Sequence, residues 1–324
     1  MRILVTGATG FLGSRTIEKF AAYDSVEKII AAGRTIRTVH EVKHPKIEYR
    51  LGDLTDKKYV ESIVKGVDKV VNCAALSSPF GAYEIFKKAN VDTQALLINA
   101  CKKFNIQRYV YISTPGIYNA YYDRFDIKES DALPEKLIND YAVTKLAAEK
   151  LLDNSDLSHV IIRPRALIGK GDTVIMPRLI RALEAGRLRI IGDGNTTMDM
   201  TAVSNVADAI WLGLNTAEEN CSEAYNITNG KPVKLWDEMR YVLDGLNLKF
   251  PQKKLSYGTA MRIASTMEFF AKFTKKEPTL MRYSVSTLAN SLTLDISKAK
   301  AKLGYEPKMT TREAVDEFLR WYKK

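Results

Sequence analysis

A doubly wound α/β fold, a parallel sheet with helices on both faces followed by a smaller C-terminal α/β part, is predicted by three observations. Short β-branched runs alternate with helix-period segments through residues 1–165. A glycine-rich turn joins the first run to the first helix. The alternation stops after Pro164, where short loops and helices take over, with turns at Gly192-Asp193-Gly194 and Asn229-Gly230.

The elements follow in chain order. Ile3-Leu4-Val5 makes Arg2–Val5 the first strand, and the amphipathic segment Phe11–Ala22 the first helix. Ile29-Ile30 marks the strand Lys28–Ala32, Lys46–Tyr49 reads as a third strand, and Lys57–Val64 has helical spacing. Val70-Val71 marks Lys69–Cys73, after which Tyr83–Phe104 reads as one long helix. Arg108–Ile112 is the fifth strand, Ile138–Leu152 a helix, and Val160-Ile161-Ile162 make His159–Arg163 the sixth strand.

A chain of 324 residues has room for two domains or one large α/β unit. Hydrophobic residues at 46% and charged residues at 27% are ordinary globular values, which excludes disorder as the main theme. No run of about 18 apolar residues suggests a membrane-crossing helix. The first strand begins within a few residues of Met1, so no signal peptide is expected. Cys73, Cys101 and Cys221 are odd in number and lie in apolar runs, the pattern of free thiols in a reducing, cytoplasmic setting. His40, His44 and His159 stand apart, and no metal-ligand spacing occurs. The net charge of +11 fits an anionic small ligand, an anionic surface or lysines spread over a solvated exterior. No block of five or six basic residues occurs, so no nucleic-acid partner is expected; the densest stretch is Lys272–Lys276.

The turn after the first strand reads Gly7-Ala8-Thr9-Gly10-Phe11-Leu12-Gly13, a G-x-x-G-x-x-G between strand and helix. Glycines allow a tight turn and close approach of a pyrophosphate, and the helix N-terminus offers free N–H groups and a positive dipole end. This is a Rossmann-type dinucleotide site, with Gly7, Thr9, Gly10, Phe11, Leu12 and Gly13 as cofactor contacts. The expected division is a nucleotide-binding domain over residues 1–165, to which a segment at about 195–225 threads back, and a mainly substrate-binding part over 166–324. An acid on the second strand would mark NAD(H), but the chain there reads Ala32-Gly33-Arg34-Thr35. Arg34 can pair with a 2′-phosphate, which points to NADP(H), or stack on adenine, which leaves NAD(H) open. Asp53-Leu54 follows the third strand; Asp53 can accept from the adenine amine or cap the next helix.

Tyr141 and Lys145 stand at i and i+4, on one helix face. An ammonium beside a phenol lowers the phenol pKa and suits proton exchange with a carbonyl or alcohol oxygen. Tyr83 and Lys87 have the same spacing, but Tyr141 follows a strand whose end carries Ser113-Thr114-Pro115-Gly116, where a hydroxyl can bind the same oxygen.

Together, Gly7, Gly10 and Gly13, Thr114, and Tyr141 with Lys145 resemble the extended short-chain dehydrogenase/reductases of the NAD-dependent epimerase/dehydratase superfamily, over essentially the whole chain. Asn72-Cys73-Ala74-Ala75 is similar to the family's segment after the fourth strand, and Asn90-Val91-Asp92-Thr93-Gln94 to its N-V-x-G-T with Gly-Thr replaced. Phe80–Glu84, Ser113-Thr114-Pro115, Arg163–Gly169, Gly192-Asp193-Gly194 with Asn205–Asp208, Pro232–Trp236 and Asp295–Ala299 resemble the 3β-hydroxysteroid dehydrogenase-like branch, which includes sterol dehydrogenases and bacterial 2-alkyl-3-oxoalkanoate reductases.

The resemblance implies an NAD(P)(H)-dependent oxidoreductase interconverting 3-oxo and 3-hydroxy groups on a hydrophobic substrate. It implies Tyr141, Lys145, Thr114 and Asn90 as the catalytic set, with Ser113 as the neighbour to Thr114. Ala74, Ala75, Ser113, Pro164, Ala166 and Leu167 would border the cofactor. Ser77, Phe80, Tyr83, Thr114, Pro115 and Met261 would border the substrate. Met261–Phe273, with Met261, Ile263, Ala264, Met267, Phe270 and Phe273, is pocket wall, core, or a face touching a membrane between Lys272, Lys275 and Lys276. The family also implies a homodimer through the segments 83–104 and 138–152; Leu96, Leu97, Ile98, Leu146, Leu151 and Leu152 could serve it or face the sheet. Two rivals remain: a nucleotide-sugar epimerase holding NAD tightly, and a non-catalytic dinucleotide sensor. Sugar dehydratases of the family carry Asp-Glu after the threonine, where this chain has Pro115-Gly116.

Overall fold

Seven parallel strands form the central sheet: β1 (Arg2–Thr6), β2 (Lys28–Gly33), β3 (Ile47–Leu51), β4 (Lys69–Asn72), β5 (Arg108–Ile112), β6 (His159–Pro164) and β7 (Glu223–Ile227). Their order is β7-β6-β5-β4-β1-β2-β3. The structure, a computed structural model, describes residues 1–274 and 276–323. Six strands lie where β-branched runs predict them, shifted by at most two residues at an end. The seventh, Glu-Ala-Tyr-Asn-Ile, was not foreseen as a strand; it enters after a long excursion and pairs with β6 from Glu223 opposite Val160 to Ile227 opposite Pro164.

The side-chain alternation of the strands builds two cores. Ile3, Val5, Ile29, Val71, Val110 and Val160 point to the face covered by the helices Phe11–Ala21 and Val203–Asn215. Leu4, Ile30, Val70, Tyr109, Tyr111 and Ile161 point to the face covered by Lys57–Val64, Thr93–Lys103 and Asp140–Asp153. Leu97, Ile98 and Leu152 belong to this second core, so they face the sheet; Leu151 is 37% exposed.

The segment 83–104 is not one helix. It divides into Tyr83–Lys87, one π turn over Lys88–Asp92, and Thr93–Lys103. The Thr93 hydroxyl donates to the Ala89 carbonyl at 2.7 Å, competing for the acceptor of a regular turn. A second sheet of four short strands runs Val233–Lys234, Thr197–Met198, Leu292–Leu294, Arg124–Ile127. Beside it lies a third core with Ile168, Met176, Trp236 and Phe318.

β1 is flanked by β2 on one side and β4 on the other, so the chain reverses its winding there and a crevice opens at the carboxyl ends of β1 and β4. Among the described residues no helix is long and apolar enough to cross a membrane.

The helix Tyr257–Thr274 divides its apolar residues: Ala264 and Met261 fit the core reading and the others do not. It buries Ala260, Ala264 and Ala271, and Met261 packs beside them against Ile191 and Val285. Ile263, Met267, Phe269, Phe270 and Phe273 are exposed, Phe273 by 72%. Lys275 lies outside the described residues.

Candidate active site

The crevice is held shut at its floor by a buried polar chain. Thr6 Oγ1 donates to Asn72 Oδ1 at 2.6 Å, and Asn72 Nδ2 donates to Gln94 Oε1 at 2.8 Å. Asn72 Oδ1 also accepts from Ala74 N at 3.1 Å, which presses the Ala74 backbone against the glycine turn. Gly7 has φ +66°, and a Cβ there would stand 2.8 Å from Ala74 N. A Cβ on Gly13 would stand 2.2 Å from Gly7 O, whereas on Gly10 the nearest atom is 3.3 Å away. The helix Phe11–Ala21 has no side-chain cap and no acid in its first turn, so its first N–H groups remain available to an anion. This cradle fits a dinucleotide pyrophosphate. Gly13→Ala is expected to cost about 1–3 kcal/mol of stability through overpacking and about tenfold or more in dinucleotide affinity, with Gly10→Ala milder in unfolding; thermal unfolding and dinucleotide titration check both.

Arg34 and Asp53 are exposed at the carboxyl ends of β2 and β3, with Leu54 half-buried beside them. Asp53 is not the cap of the next helix. Asp56 is, accepting from Lys58 N at 2.8 Å, while Asp53 Oδ1 accepts from Thr55 N at 2.9 Å. The Thr55 hydrogen bonds, then the Arg34 and Lys88 charges, hold the Asp53 carboxyl below its usual value.

Asn139 caps the helix Asp140–Asp153 by accepting from Ala142 N at 2.9 Å, and this sets Tyr141, Lys145 and Glu149 one turn apart on one face. Lys145 is 1% exposed; its Nζ donates to Ile112 O at 2.5 Å and lies 4.0 Å over the Tyr111 ring. Burial brings the Lys145 pKa down to about 7, against the opposing pull of Glu149 and Cys73. Burial raises the Tyr141 phenol; the hydroxyls of Ser77 and Thr114 pull it down, and Tyr283 pushes it up. The expected acidification of the phenol by the ammonium is therefore not seen. Both groups sit in a desolvated site that disfavours their charged forms, and the ammonium is turned toward the Ile112 carbonyl.

Thr114, not Ser113, faces Tyr141. Thr114 Oγ1 accepts from Gly116 N at 3.0 Å, which leaves its own proton free to donate. The Ser113 hydroxyl is buried without a partner. Asn90, grouped above with the catalytic residues, is buried and spends its side chain on the protein's own groups. Its Oδ1 accepts from Leu76 N at 2.8 Å and its Nδ2 donates to Thr144 Oγ1 at 3.1 Å, so it ties the loop after β4 to the Tyr141 helix.

Ser77 reaches Tyr141, and Phe80 is half-buried in the same loop. Ala74 is half-buried and Ala75 exposed. Pro115 is buried at the start of a 3-10 turn over Pro115–Tyr118. Tyr83 is 40% exposed, and Lys87 pairs with Asp92 at 2.8 Å, so that second tyrosine–lysine match lies on the surface. Pro164 ends β6; Ala166 follows with φ +39°, and Leu167 pairs with Thr201.

Three groups near the site carried no assigned role in the sequence reading. Glu149, 2% exposed, takes a forked pair from Arg163, with Nε to Oε1 at 3.0 Å and Nη2 to Oε2 at 2.5 Å. The spacing Lys145 to Glu149 was a visible signal. Arg165, inside an apolar run, was another. Tyr283 had none, since only packing brings it to Tyr141.

Comparison with known proteins bears on the family and the fold. Residues 3–228 match the model of the NAD dependent epimerase/dehydratase family. The chain is 30% identical to sterol-4-alpha-carboxylate 3-dehydrogenase, decarboxylating, of Candida albicans, over 98% of this chain and 97% of that protein. It is 29% identical to 2-alkyl-3-oxoalkanoate reductase of Stenotrophomonas maltophilia, over 97% of each. The solved structure of UDP-glucuronic acid 4-epimerase from Bacillus cereus in complex with NAD superimposes with a TM-score of 0.77 at 21% identity, covering 100% of this chain and 99% of that one, a likeness of fold alone.

Proposed function

We propose, from the premise that this chain belongs to the NAD dependent epimerase/dehydratase family and is an enzyme of the extended short-chain dehydrogenase/reductase type, that it interconverts a 3-oxo and a 3-hydroxy group on a hydrophobic substrate. The observation that carries this reading is the Tyr141 phenol flanked by the Thr114 and Ser77 hydroxyls, one turn from buried Lys145. When bound, the dinucleotide supplies a hydride for the carbonyl carbon. Tyr141 Oη donates its proton to the developing alkoxide, and Thr114 donates a hydrogen bond to the same oxygen. The Gly7–Gly13 turn holds the pyrophosphate, and Lys145 holds the nicotinamide ribose. Arg34, exposed at the end of β2, supports NADP(H) as the cofactor through its 2′-phosphate.

The deciding experiment is turnover with NADPH and NADH on a long-chain 2-alkyl-3-oxo acid, with a 3-oxosteroid alongside. Oxidation of free NADPH in preference to NADH supports both parts of the reading. No oxidation of either cofactor, with NAD retained through purification, would favour a nucleotide-sugar epimerase instead.

The helix Tyr257–Thr274 supports a route for such a substrate. Phe269, Phe270 and Phe273 cluster on its exposed side with ring centroids 5.7 and 5.4 Å apart. Nearby Glu268 and Glu277 are neutralised by Arg282 and Arg178, while Arg262, Lys272 and Lys276 are exposed. An aromatic face with a basic rim suits an anionic lipid surface. The neighbouring helix Arg282–Ala289 packs against it. Flotation with phosphatidylglycerol vesicles is expected to carry the protein at low salt, weaken with salt, and be lost in the triple variant F269S/F270S/F273S. Absence of flotation by the unaltered protein, or a dimer that the triple variant dissolves, would assign the face elsewhere.

A further inference from the structure

Two arginines stand two residues apart at the end of β6, and both are buried. Arg163 is fully satisfied: besides its fork with Glu149, its Nη1 donates to Tyr118 Oη at 2.5 Å. Arg165 is 7% exposed and has no such partner. Its Nε is buried without an acceptor, and its one side-chain hydrogen bond, from Nη1 to Asn119 Oδ1, is stretched to 3.5 Å. Among the described residues none of the ion pairs within 4.0 Å involves Arg165. A guanidinium cannot escape this cost by losing its proton, so a buried arginine with open donors calls for an anion.

The surroundings say where that anion would sit. Asn119 directly follows the turn Pro115–Tyr118, which Thr114 begins. Arg165 directly follows the carboxyl end of β6, which pairs in parallel with β5, and Thr114 stands two residues past the carboxyl end of β5, so both open on the same edge of the sheet. The Arg165 backbone is pinned on both sides: its N donates to Ile227 O at 3.2 Å and its carbonyl accepts from Thr201 Oγ1. Ala166 next to it holds φ +39°, a left-handed backbone that costs a non-glycine residue about 1–3 kcal/mol.

We propose that Arg165, with Asn119 beside it, is the subsite for a carboxylate on the carbon next to the reacting carbonyl of the substrate. This rests on the 3-oxo/3-hydroxy reading above and assigns the residue that would recognise an acid among such substrates. In such an acid the carboxylate and the reacting oxygen are held on adjacent carbons, so a fork at Arg165 orients the carbonyl toward Tyr141 and Thr114. A planar two-point grip selects the acid over its ester, because the ester leaves the buried guanidinium unpaired. The competing occupant is internal. Asp199, the acid in electrostatic contact with Arg165, gives one oxygen to Leu294 N at 2.8 Å and has its other oxygen buried without a partner. A purely structural Arg165–Asp199 interaction would make the arginine indifferent to ligand charge, and a phosphate-bearing ligand would be an alternative source of anion.

The test is binding first and turnover second, on the whole enzyme saturated with NADP+. Calorimetry would compare 2-hexyl-3-hydroxydecanoate, its methyl ester and UDP, with the unaltered protein, R165Q and R165K. The acid is expected to bind at least tenfold more tightly than the ester, R165Q to weaken the acid by about 100-fold while changing the ester little, and R165K to recover part of the loss. Equal binding of acid and ester by the unaltered protein, or equal weakening of both in R165Q, overturns the subsite, as does tight binding of UDP alone. The comparison of acid with ester in the unaltered protein needs no variant, so a poorly folded R165Q does not rescue the proposal. Arg165-dependent binding of the acid without its oxidation would keep the subsite and overturn the 3-hydroxy dehydrogenase reading instead.

Discussion

Tyr141→Phe is expected to lower kcat by about 10²–10⁴-fold while leaving dinucleotide affinity within about twofold. The phenylalanine keeps the ring and loses only the hydroxyl that the Ser77 and Thr114 side chains face. The aliphatic hydroxyls of Thr114 and Ser77 are far weaker acids than a phenol and replace it poorly as a proton donor. Lys145 is turned to Ile112 O, and the Ser113 hydroxyl is buried away without a partner. Steady-state turnover beside a fluorescence titration of the dinucleotide separates the two effects. Activity above about a tenth of the unaltered enzyme would exclude a role worth ~1.4 kcal/mol of the barrier, and the proton would have to come from elsewhere.

Glu149→Gln carries the second large effect, on stability and on the pH profile together. The change keeps the shape and removes the charge, leaving the Arg163 guanidinium buried without its carboxylate. Breaking a buried pair from one side costs about 3–5 kcal/mol, readable as a lower denaturation midpoint. The same carboxylate opposes the burial that brings Lys145 down to about 7. Lysine is cationic below its pKa, so losing Glu149 lets it discharge at lower pH. The alkaline limb of kcat/KM, where activity falls as the ammonium is lost, is expected to move toward acid. A double replacement of Glu149 and Arg163 by methionine should recover much of the stability but not the pH profile. A profile that superimposes on that of the unaltered enzyme would make Glu149 a residue of the fold alone.

The fold was legible wherever its cause is local. A β-branched run followed by Gly7–Gly13 and an amphipathic helix has one physical outcome, and the strands β1 to β6 fell within two residues of their expected ends. What the local signal misplaced shares a cause as well. β7, Glu-Ala-Tyr-Asn-Ile, holds a single β-branched residue and is a strand by pairing with β6, not by its own pattern. Asp53 and Asp56 both precede a helix, and only backbone geometry chose Asp56 as its cap. Ile263, Met267, Phe270 and Phe273 read as one apolar group with Met261 and Ala264, but the buried side of the helix is Ala260, Ala264 and Ala271.

The residue types proposed to carry the chemistry were likewise set by the sequence. The glycine spacing, Tyr141 with Lys145 at one helical turn, and Thr114 at the end of β5 follow from spacing along elements that the chain specifies locally. Tertiary structure alone decided their states and their company. It withdrew Lys145 from water, turned Asn90 into a brace, satisfied Arg163 and left Arg165 open, and brought Tyr283 to the crevice. Burial and charge pairing depend on which distant segments pack together, and no single stretch of sequence contains that information.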